Sequence, residues 1–233
     1  MPGAQSSVNH ETVIKAHLDL VNDICDILDT AVYRHGKYDC IGISIGGIVR
    51  GGCIDLINHI DKSFNLEKYL RKKYHVPVLI RNNTNTAAYG FYASHPEYKN
   101  IAFLSMPFGY RFGGVGLVLG GVPYEGTHRI AGEVKFTLLH KYTEEDNANY
   151  ILLPGETLVT AEKYARSIIA LNDPDIILIR CKLLPDTEIL KMRLISYIPE
   201  EYLPKMKKIS DEESADYMLL GMMMICVEAA DKK

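Results

Sequence analysis

Helix-like and strand-like spacings of apolar residues alternate along the first hundred residues, and this alternation limits the folds open to the chain. Apolar residues at steps of three and four are followed by a short apolar run, and the order repeats. The predicted elements are a helix with apolar positions from Ile14 to Val32, a strand 39–45, a helix around 66–70, a strand 76–80, a helix 85–92 and a strand 101–106. Strands joined through helices indicate an α/β chain with a parallel or mixed sheet under helical cover.

Gly120 and Gly121 mark a change to antiparallel strands. They separate the apolar runs 115–119 and 122–124, and both positions tolerate the positive φ of a tight hairpin turn. Further on, the spacing predicts a helix over 158–171 and a strand over 176–179. A capping-box pair, Ser210 and Glu213, predicts a final helix that runs to about residue 230.

The overall charge argues against nucleic acid as a direct partner. The 233 residues carry 26 Lys and Arg against 29 Asp and Glu, a net charge of −3, and the basic residues are scattered. Five widely spaced cysteines indicate free thiols in a reducing compartment. Because the sequence has neither a signal-peptide pattern nor a long apolar span, we expect a cytoplasmic protein that does not enter a membrane.

Three polar or glycine-rich segments form the most specific pattern in the chain. Residues 81–88 read RNNTNTAA, residues 112–126 read FGGVGLVLGGVPYEG, and residues 131–133 read Ala-Gly-Glu. In order and spacing they resemble the sugar-binding centre of the ROK family, which combines sugar kinases with sugar-sensing transcriptional repressors. Residues 41–49 resemble the family's strand and glycine turn at the sugar, and residues 172–179 resemble the stretch that leads to its adenosine-side strand.

The resemblance implies an actin-like (ribonuclease H-like) ATPase fold with two lobes, of which the N-terminal one is incomplete. Residues 1–96 would form the N-terminal lobe, without the family's first strand hairpin and its Asp-x-Gly-Gly-Thr turn. Residues 97–233 would form the C-terminal lobe, and its final helix 211–230 can pack across to the first lobe. The boundary is placed at His95-Pro96, where the helical pattern breaks.

Several positions depart from the pattern of a kinase in this family. Asn83 stands where the family has the Asp that takes a proton from the sugar hydroxyl, and an amide cannot take that proton. Residues 110–114 read YRFGG in place of Gly-Thr-Gly-Ile-Gly, so Gly113, Gly114 and Gly116 are interpreted as a degenerate phosphate loop. Residues 179–182 read IRCK in place of a glycine run that leaves space for adenosine.

The family's zinc site is also missing from the sequence. Its cysteine cluster has no counterpart between Cys53 and Cys181, and Phe136 stands where the ligand histidine follows Glu133. We therefore expect neither a metal nor another cofactor.

Four residues remain as candidates for contact with a sugar: Asn82, Asn83, Glu133 and Gly47. Two amides and a carboxylate offer the donors and acceptors that adjacent hydroxyls need. A structural interpretation is open for each of them. The two Asn residues would then close a turn with Asn85 as the helix N-cap, Glu133 would lie exposed, and Gly47 would form a strand-end turn. Gly113, Gly114 and Gly116 would shape the entrance of the hairpin.

The leading hypothesis is a non-catalytic ROK-type sugar-sensing or regulatory domain, from the repressor branch but without its DNA-binding segment. A sugar or sugar phosphate is the expected ligand, and a homodimer the expected assembly. The alternative is a divergent ATP-dependent sugar kinase, glucokinase-like, that uses Glu133 or Asp55 as the base. A third possibility is an assembly protein without a ligand.

Overall fold

The computed structural model describes residues 10–36, 38–55, 64–108, 113–137 and 154–230, with side chains from residue 19 onward. Residues 109–112, which include most of the altered phosphate-loop segment, lie outside the described residues. In the described parts of the chain, no helix is both long enough and apolar enough to cross a membrane.

The first part of the chain builds a small layer of helices and short strands. Its elements are α1 (His10–His35), β1 (Ile41–Ile45), β2 (Ile48–Arg50), β3 (Cys53–Asp55), α2 (Leu66–Tyr74) and β4 (Val78–Asn82). β1 and β4 pair in parallel, from Ile41 opposite Val78 to Ile45 opposite Asn82. β4 therefore begins and ends two residues later than predicted, which brings Asn82 to the strand end.

A hairpin that the sequence did not predict follows β1. β2 and β3 pair antiparallel around Gly51 and Gly52, whose φ angles are 58° and 83°. Each strand has only three residues, so the apolar pattern is too short to be recognised as a strand pair.

The larger sheet has the strand order β7-β6-β5-β8-β9. It consists of β5 (Ile101–Ser105), β6 (Gly114–Leu119), β7 (Val122–Pro123), β8 (Ile176–Arg180) and β9 (Lys205–Lys208). β5, β8 and β9 run parallel, and β6 and β7 run antiparallel to their neighbours. The predicted hairpin is confirmed, because Gly120 and Gly121 connect β6 to β7 with φ angles of 61° and 81°.

Helices cover both faces of this sheet. α4 (Pro154–Asn172) and α5 (Thr187–Leu194) share one buried cluster with β5, β6 and β8. α3 (Asn83–Ser94) and α6 (Asp211–Ala230) share the cluster on the other face. The predicted capping box opens α6: Glu213 N–H donates to Ser210 Oγ at 3.0 Å, and Ser210 N–H donates to Glu213 Oε2 at 2.8 Å.

α3 and α6 cross closely because glycines meet at the contact. A Cβ at Gly90 would lie 1.9 Å from the Tyr217 carbonyl oxygen, and one at Gly221 would lie 2.0 Å from the Thr86 carbonyl oxygen. α6 also reaches β1, where a Cβ at Gly42 would lie 2.7 Å from Cys226 Sγ. α3 thus packs into the core of the larger sheet, although the predicted boundary after residue 96 groups it with the first lobe; the boundary itself stays a prediction.

Candidate functional site

Asn82 joins three chain segments at the junction of β4 and α3. Its Oδ1 accepts from Thr84 N–H at 2.9 Å, from Asn85 N–H at 3.2 Å and from the Thr84 hydroxyl at 2.6 Å. Its Nδ2 donates to the Gly47 carbonyl at 2.8 Å. Asn82 is therefore the N-cap of α3, and the prediction of Asn85 as N-cap is wrong. The helix begins at Asn83 and not at residue 85, because Asn82 satisfies the first free N–H groups.

The Asn85 side chain has a different partner. Its Oδ1 accepts from Leu117 N–H at 3.2 Å, so it holds α3 to β6. This bond from the first turn of α3 to a neighbouring strand is a tertiary contact, which local sequence rules do not reveal.

Asn83 is the first residue of α3 and keeps its side chain available. The side chain is half-buried and makes no hydrogen bond with any described residue, whereas the Asn83 backbone carbonyl accepts from the Thr86 hydroxyl at 2.9 Å. Gly46 lies beside it, since a Cβ built there would be 3.9 Å from Asn83 Nδ2. Because β1 and β4 are parallel, the Gly46–Gly47 turn and the Asn82–Asn83 pair follow the same edge of the small sheet. Gly47 has a φ of 96°, so it combines the predicted turn role with a place at the candidate site.

Two of the three glycines interpreted as a degenerate phosphate loop are packed against neighbouring backbone. A Cβ at Gly116 would lie 1.9 Å from the Thr84 carbonyl oxygen, and one at Gly113 would lie 2.8 Å from the Ser105 carbonyl oxygen. Gly114 faces the Thr84 side chain with more room, at 3.6 Å. The start of α3 thus rests directly on the start of β6, and these contacts favour the structural interpretation of Gly113 and Gly116.

Glu133 approaches the same end of β6 from the strand edge. Val115 N–H donates to the Gly132 carbonyl at 2.8 Å, which pairs the Ala-Gly-Glu segment with β6. The Glu133 side chain is only 15% exposed, so the alternative of an exposed Glu133 does not hold. Asn82, Asn83, Gly47 and Glu133 therefore belong to segments that all contact, directly or through α3, the first residues of β6.

Lys135 adds a cation that sequence reasoning missed. Its Nζ lies 3.0 Å from Glu133 Oε2, and its side chain is 9% exposed. The signal available in the sequence was a Lys two residues after the Glu, which does not distinguish a buried ion pair from a solvated side chain. The Glu133 carboxylate is thus already partnered on one oxygen.

A second charged cluster occupies the carboxyl end of β8. Arg180 Nε and Lys182 Nζ contact the two carboxylate oxygens of Asp211 at 2.7 and 2.9 Å. Lys182 and Arg180 together hold the pKa of Asp211 below its usual value. Arg180 is paired with Ser105 across the sheet, and Ser105 with Gly114, so the cluster lies at the same sheet edge as Gly113 and Gly114. The segment 179–182 therefore carries paired, charged side chains at this end of the sheet.

A polar cleft of about 220 Å³ runs farther along α3, between that helix, the segment after β7 and the end of α6. Its lining includes Arg81, Tyr89, Glu125 and Glu228. Tyr89 donates to the Glu228 carboxylate, and burial, more than this bond, raises the pKa of Tyr89 to about 12. Neither Asn83 nor Glu133 lines this cleft.

Within the described ranges, no group of three or more His, Cys, Asp or Glu side chains could hold a metal ion. The expected absence of zinc stays a prediction, because residues 138–153 lie outside those ranges.

Comparison with known proteins identifies one family for the chain. A profile of the ROK family matches residues 5–147, which is more than half of the chain. No curated protein matches significantly.

Several solved structures have the same fold. A ROK family protein from Streptococcus pneumoniae in complex with sucrose has a TM-score of 0.63 and 16% identity, over 88% of this chain and 86% of that one. A ROK family glucokinase from Streptomyces griseus in complex with glucose and AMPPNP has a TM-score of 0.64 and 15% identity, over 90% and 88%. A ROK family transcriptional regulator, homologous to the E. coli MLC protein, has a TM-score of 0.63 and 15% identity, over 91% and 71%. The predicted α/β, actin-like ATPase fold is thereby confirmed.

Proposed function

Because this chain belongs to the ROK family, we propose that it binds a sugar without phosphorylating it and acts as a sugar-sensing or regulatory domain. The observation that carries the proposal is Asn83. It occupies the first turn of α3 with a side chain free of hydrogen bonds to described residues, where a sugar hydroxyl can meet it. An amide donates and accepts hydrogen bonds but does not take a proton, so binding is retained and base catalysis is not.

Neither carboxylate considered as a substitute base lies on α3. Glu133 is held by the Lys135 ammonium at 3.0 Å, so part of its accepting capacity is used. Asp55 lies in β3, opposite Ile48 in the hairpin that follows the Gly46–Gly47 turn. A general base must accept the hydroxyl proton within hydrogen-bond distance, and the ion pair with Lys135 disfavours Glu133 for this role.

The carboxyl end of β8 also argues against a nucleotide. Arg180, Lys182 and Asp211 form an ion-pair cluster there, and Cys181 between them is buried. An adenosine would have to displace these paired charges. Phosphoryl transfer depends mainly on positioning the donor and stabilising its charge, so loss of this space weakens catalysis beyond the loss of the base.

The sugar as ligand is supported by two related structures, which contain sucrose and glucose. The hydrogen bond from Asn82 to the Gly47 carbonyl joins the glycine turn to the start of α3, so the backbone around Asn83 is held in place before a ligand binds. The titration described next compares free sugars with their phosphates and so distinguishes these two ligand classes.

Three measurements test the proposal. A panel of hexoses, amino sugars and their phosphates is titrated while the unfolding free energy is followed; a ligand at 100 times its Kd should add about 2.7 kcal/mol. Asn83→Leu should abolish this gain without changing the fold, whereas the matched exposed amide variant Asn22→Ala should keep it. ADP release with ATP and magnesium should be absent in the wild type and in Asn83→Asp.

The outcomes separate the alternatives. Turnover of roughly 1 to 100 per second would make the chain a divergent sugar kinase. If no sugar stabilises the wild type, the protein does not bind sugars at this site, and an assembly role without ligand is favoured.

A homodimer and a cytoplasmic location complete the proposal. α6 leaves Leu219, Met223 and Val227 more than half exposed on one side, an apolar face that a second copy could cover. Light scattering after gel filtration should give a dimer mass, and a monomer at micromolar concentration would refute this part.

A further inference from the structure

A second cavity lies on the sheet face opposite α3. It has a volume of about 500 Å³, within the usual range of small-molecule sites, and lies between α4 and the turn after α5. α4 and α5 pack in the core cluster of β5, β6 and β8 that excludes α3 and α6. The cavity is therefore separate from Asn82, Asn83 and Gly47.

Two cations of α4 point into this cavity. Lys163 and Arg166 are three residues apart, so they share one face of the helix. Among the described residues, no carboxylate lies within ion-pair distance of exposed Lys163. Arg166 lies over the Tyr197 ring, with its guanidinium carbon 3.8 Å from the ring centroid. The ring restricts the orientation of the Arg166 guanidinium group before any ligand binds.

The charge nearby is not balanced. Buried Glu162 is the acidic partner of Arg166, at 3.8 Å, but its other oxygen takes a much closer contact from Arg193, at 2.5 Å. One carboxylate thus serves two guanidinium groups, and Lys163 has none. The described lining of the cavity has an excess of positive charge and unused N–H donors.

Two hydroxyl groups of the cavity can accept hydrogen bonds from a ligand, whereas the two cations donate them. Ser167 Oγ donates to the Lys163 carbonyl at 3.0 Å, and Thr137 Oγ1 donates to the Val134 carbonyl at 2.7 Å. Each hydroxyl has used its proton and keeps lone pairs for a ligand O–H. Ala170 and Ile198 add a small apolar surface.

We propose that this cavity binds a small organic anion, with a phosphate or carboxylate group at Lys163 and Arg166 and hydroxyl groups at Ser167 and Thr137. The cations select the anionic end, and the hydroxyls select a body that can donate hydrogen bonds. The cavity is larger than inorganic phosphate alone, so the body contributes to binding. Its lining includes none of the candidate sugar contacts Asn82, Asn83, Gly47 and Glu133.

Calorimetric titration with a matched set of probes tests this site. Glycerol 3-phosphate and glycerate share the hydroxylated body and differ in the anion, glycerol lacks the anion, and inorganic phosphate lacks the body. Saturable binding of glycerol 3-phosphate or glycerate supports the proposal, and the tighter of the two identifies the anion. Lys163→Gln should weaken that binding by about tenfold, the loss of one charge-assisted contact.

The control is Lys205→Gln. Lys205 is an exposed lysine, as Lys163 is, but it lies on β9, with its Nζ 5.0 Å from the Tyr98 ring centroid. It should change the Kd by less than twofold. Equal weakening by both substitutions, binding of glycerol as tight as that of the anions, or no saturable heat from either anion would overturn the proposal. Inorganic phosphate bound as tightly as glycerol 3-phosphate would contradict the role of the hydroxyls.

Discussion

Asn82→Ala is the substitution whose effect the geometry defines best. It removes the N-cap of α3, a loss that costs about 0.5–2 kcal/mol in other helices. It also removes the bond to the Gly47 carbonyl at 2.8 Å, for about 0.5–1.5 kcal/mol. The sum places the loss of unfolding free energy at about 2 kcal/mol. The loss should be large for a single polar side chain because it loosens both the helix start and the glycine turn.

Asn82→Asp separates the two contributions. A carboxylate still accepts from Thr84 N–H and Asn85 N–H, and a negative charge at a helix N-terminus gains about 0.3–1 kcal/mol. It cannot donate to Gly47, whose carbonyl then faces an oxygen. We expect Asn82→Asp to lose about 1 kcal/mol or less, so the order of stability is wild type, Asp, Ala.

Urea unfolding followed by far-UV circular dichroism measures this order. A loss of about 2 kcal/mol should lower the midpoint by about 1 M at ordinary m-values. Asn22→Ala, on the exposed side of α1, should be neutral or slightly stabilising because Ala is the better helix former. An Asn82→Ala protein within about 0.5 kcal/mol of the wild type would refute the capping argument, and so would equal losses for Ala and Asp.

Three further substitutions test the packing and the titration. Gly116→Ala places a Cβ 1.9 Å from the Thr84 carbonyl oxygen, so it should lower the free energy of unfolding, measured by thermal unfolding, by about 3 kcal/mol or more. The control Gly155→Ala, whose Cβ meets nothing within 4 Å, should change it by less than about 0.5 kcal/mol. Because the pKa of Tyr89 is raised to about 12, the unfolded phenol ionises first, so wild-type stability should be full below pH 10 and fall by about 2 kcal/mol towards pH 12. The Tyr89→Phe protein should lack that part of the fall in urea midpoints measured across this pH range; an identical profile would contradict the assignment. Ser210→Ala removes the acceptor for Glu213 N–H and should lower the free energy of unfolding by about 1 kcal/mol. An unchanged free energy of unfolding would argue against the capping box.

Local rules predicted the elements whose causes are local. The β6–β7 hairpin follows from two glycines that accept positive φ, and the start of α6 follows from the Ser210–Glu213 pair. The same glycine rule applied to Gly51 and Gly52, but the flanking strands were too short for the period to show. β9 was missed because its sequence, Lys-Met-Lys-Lys, is polar; it is a strand because the edge of β8 is free to pair with it.

The sequence named candidate residues for the site but did not show which contacts they make. Asn82, Asn83, Gly47 and Glu133 are found on segments that meet near the start of β6, but Asn82 caps a helix and Glu133 is joined by Lys135. The Arg180–Asp211 pair was not foreseen, since its partners are 31 residues apart in the chain. Ion pairs between distant residues leave no local pattern.

The sequence alone determined the order of most helices and strands and the family, because each of these depends on residue identity and spacing. The tertiary structure decided which polar groups are still free. Folding brought Lys135 to Glu133, Asp211 to Arg180, and two guanidinium groups to Glu162. It left the side chains of Asn83 and Lys163 without hydrogen-bond or ion-pair partners among the described residues. The sequence gives the chemical groups of each side chain. Which of their donors, acceptors and charges stay without a partner depends on neighbours that only the folded structure supplies.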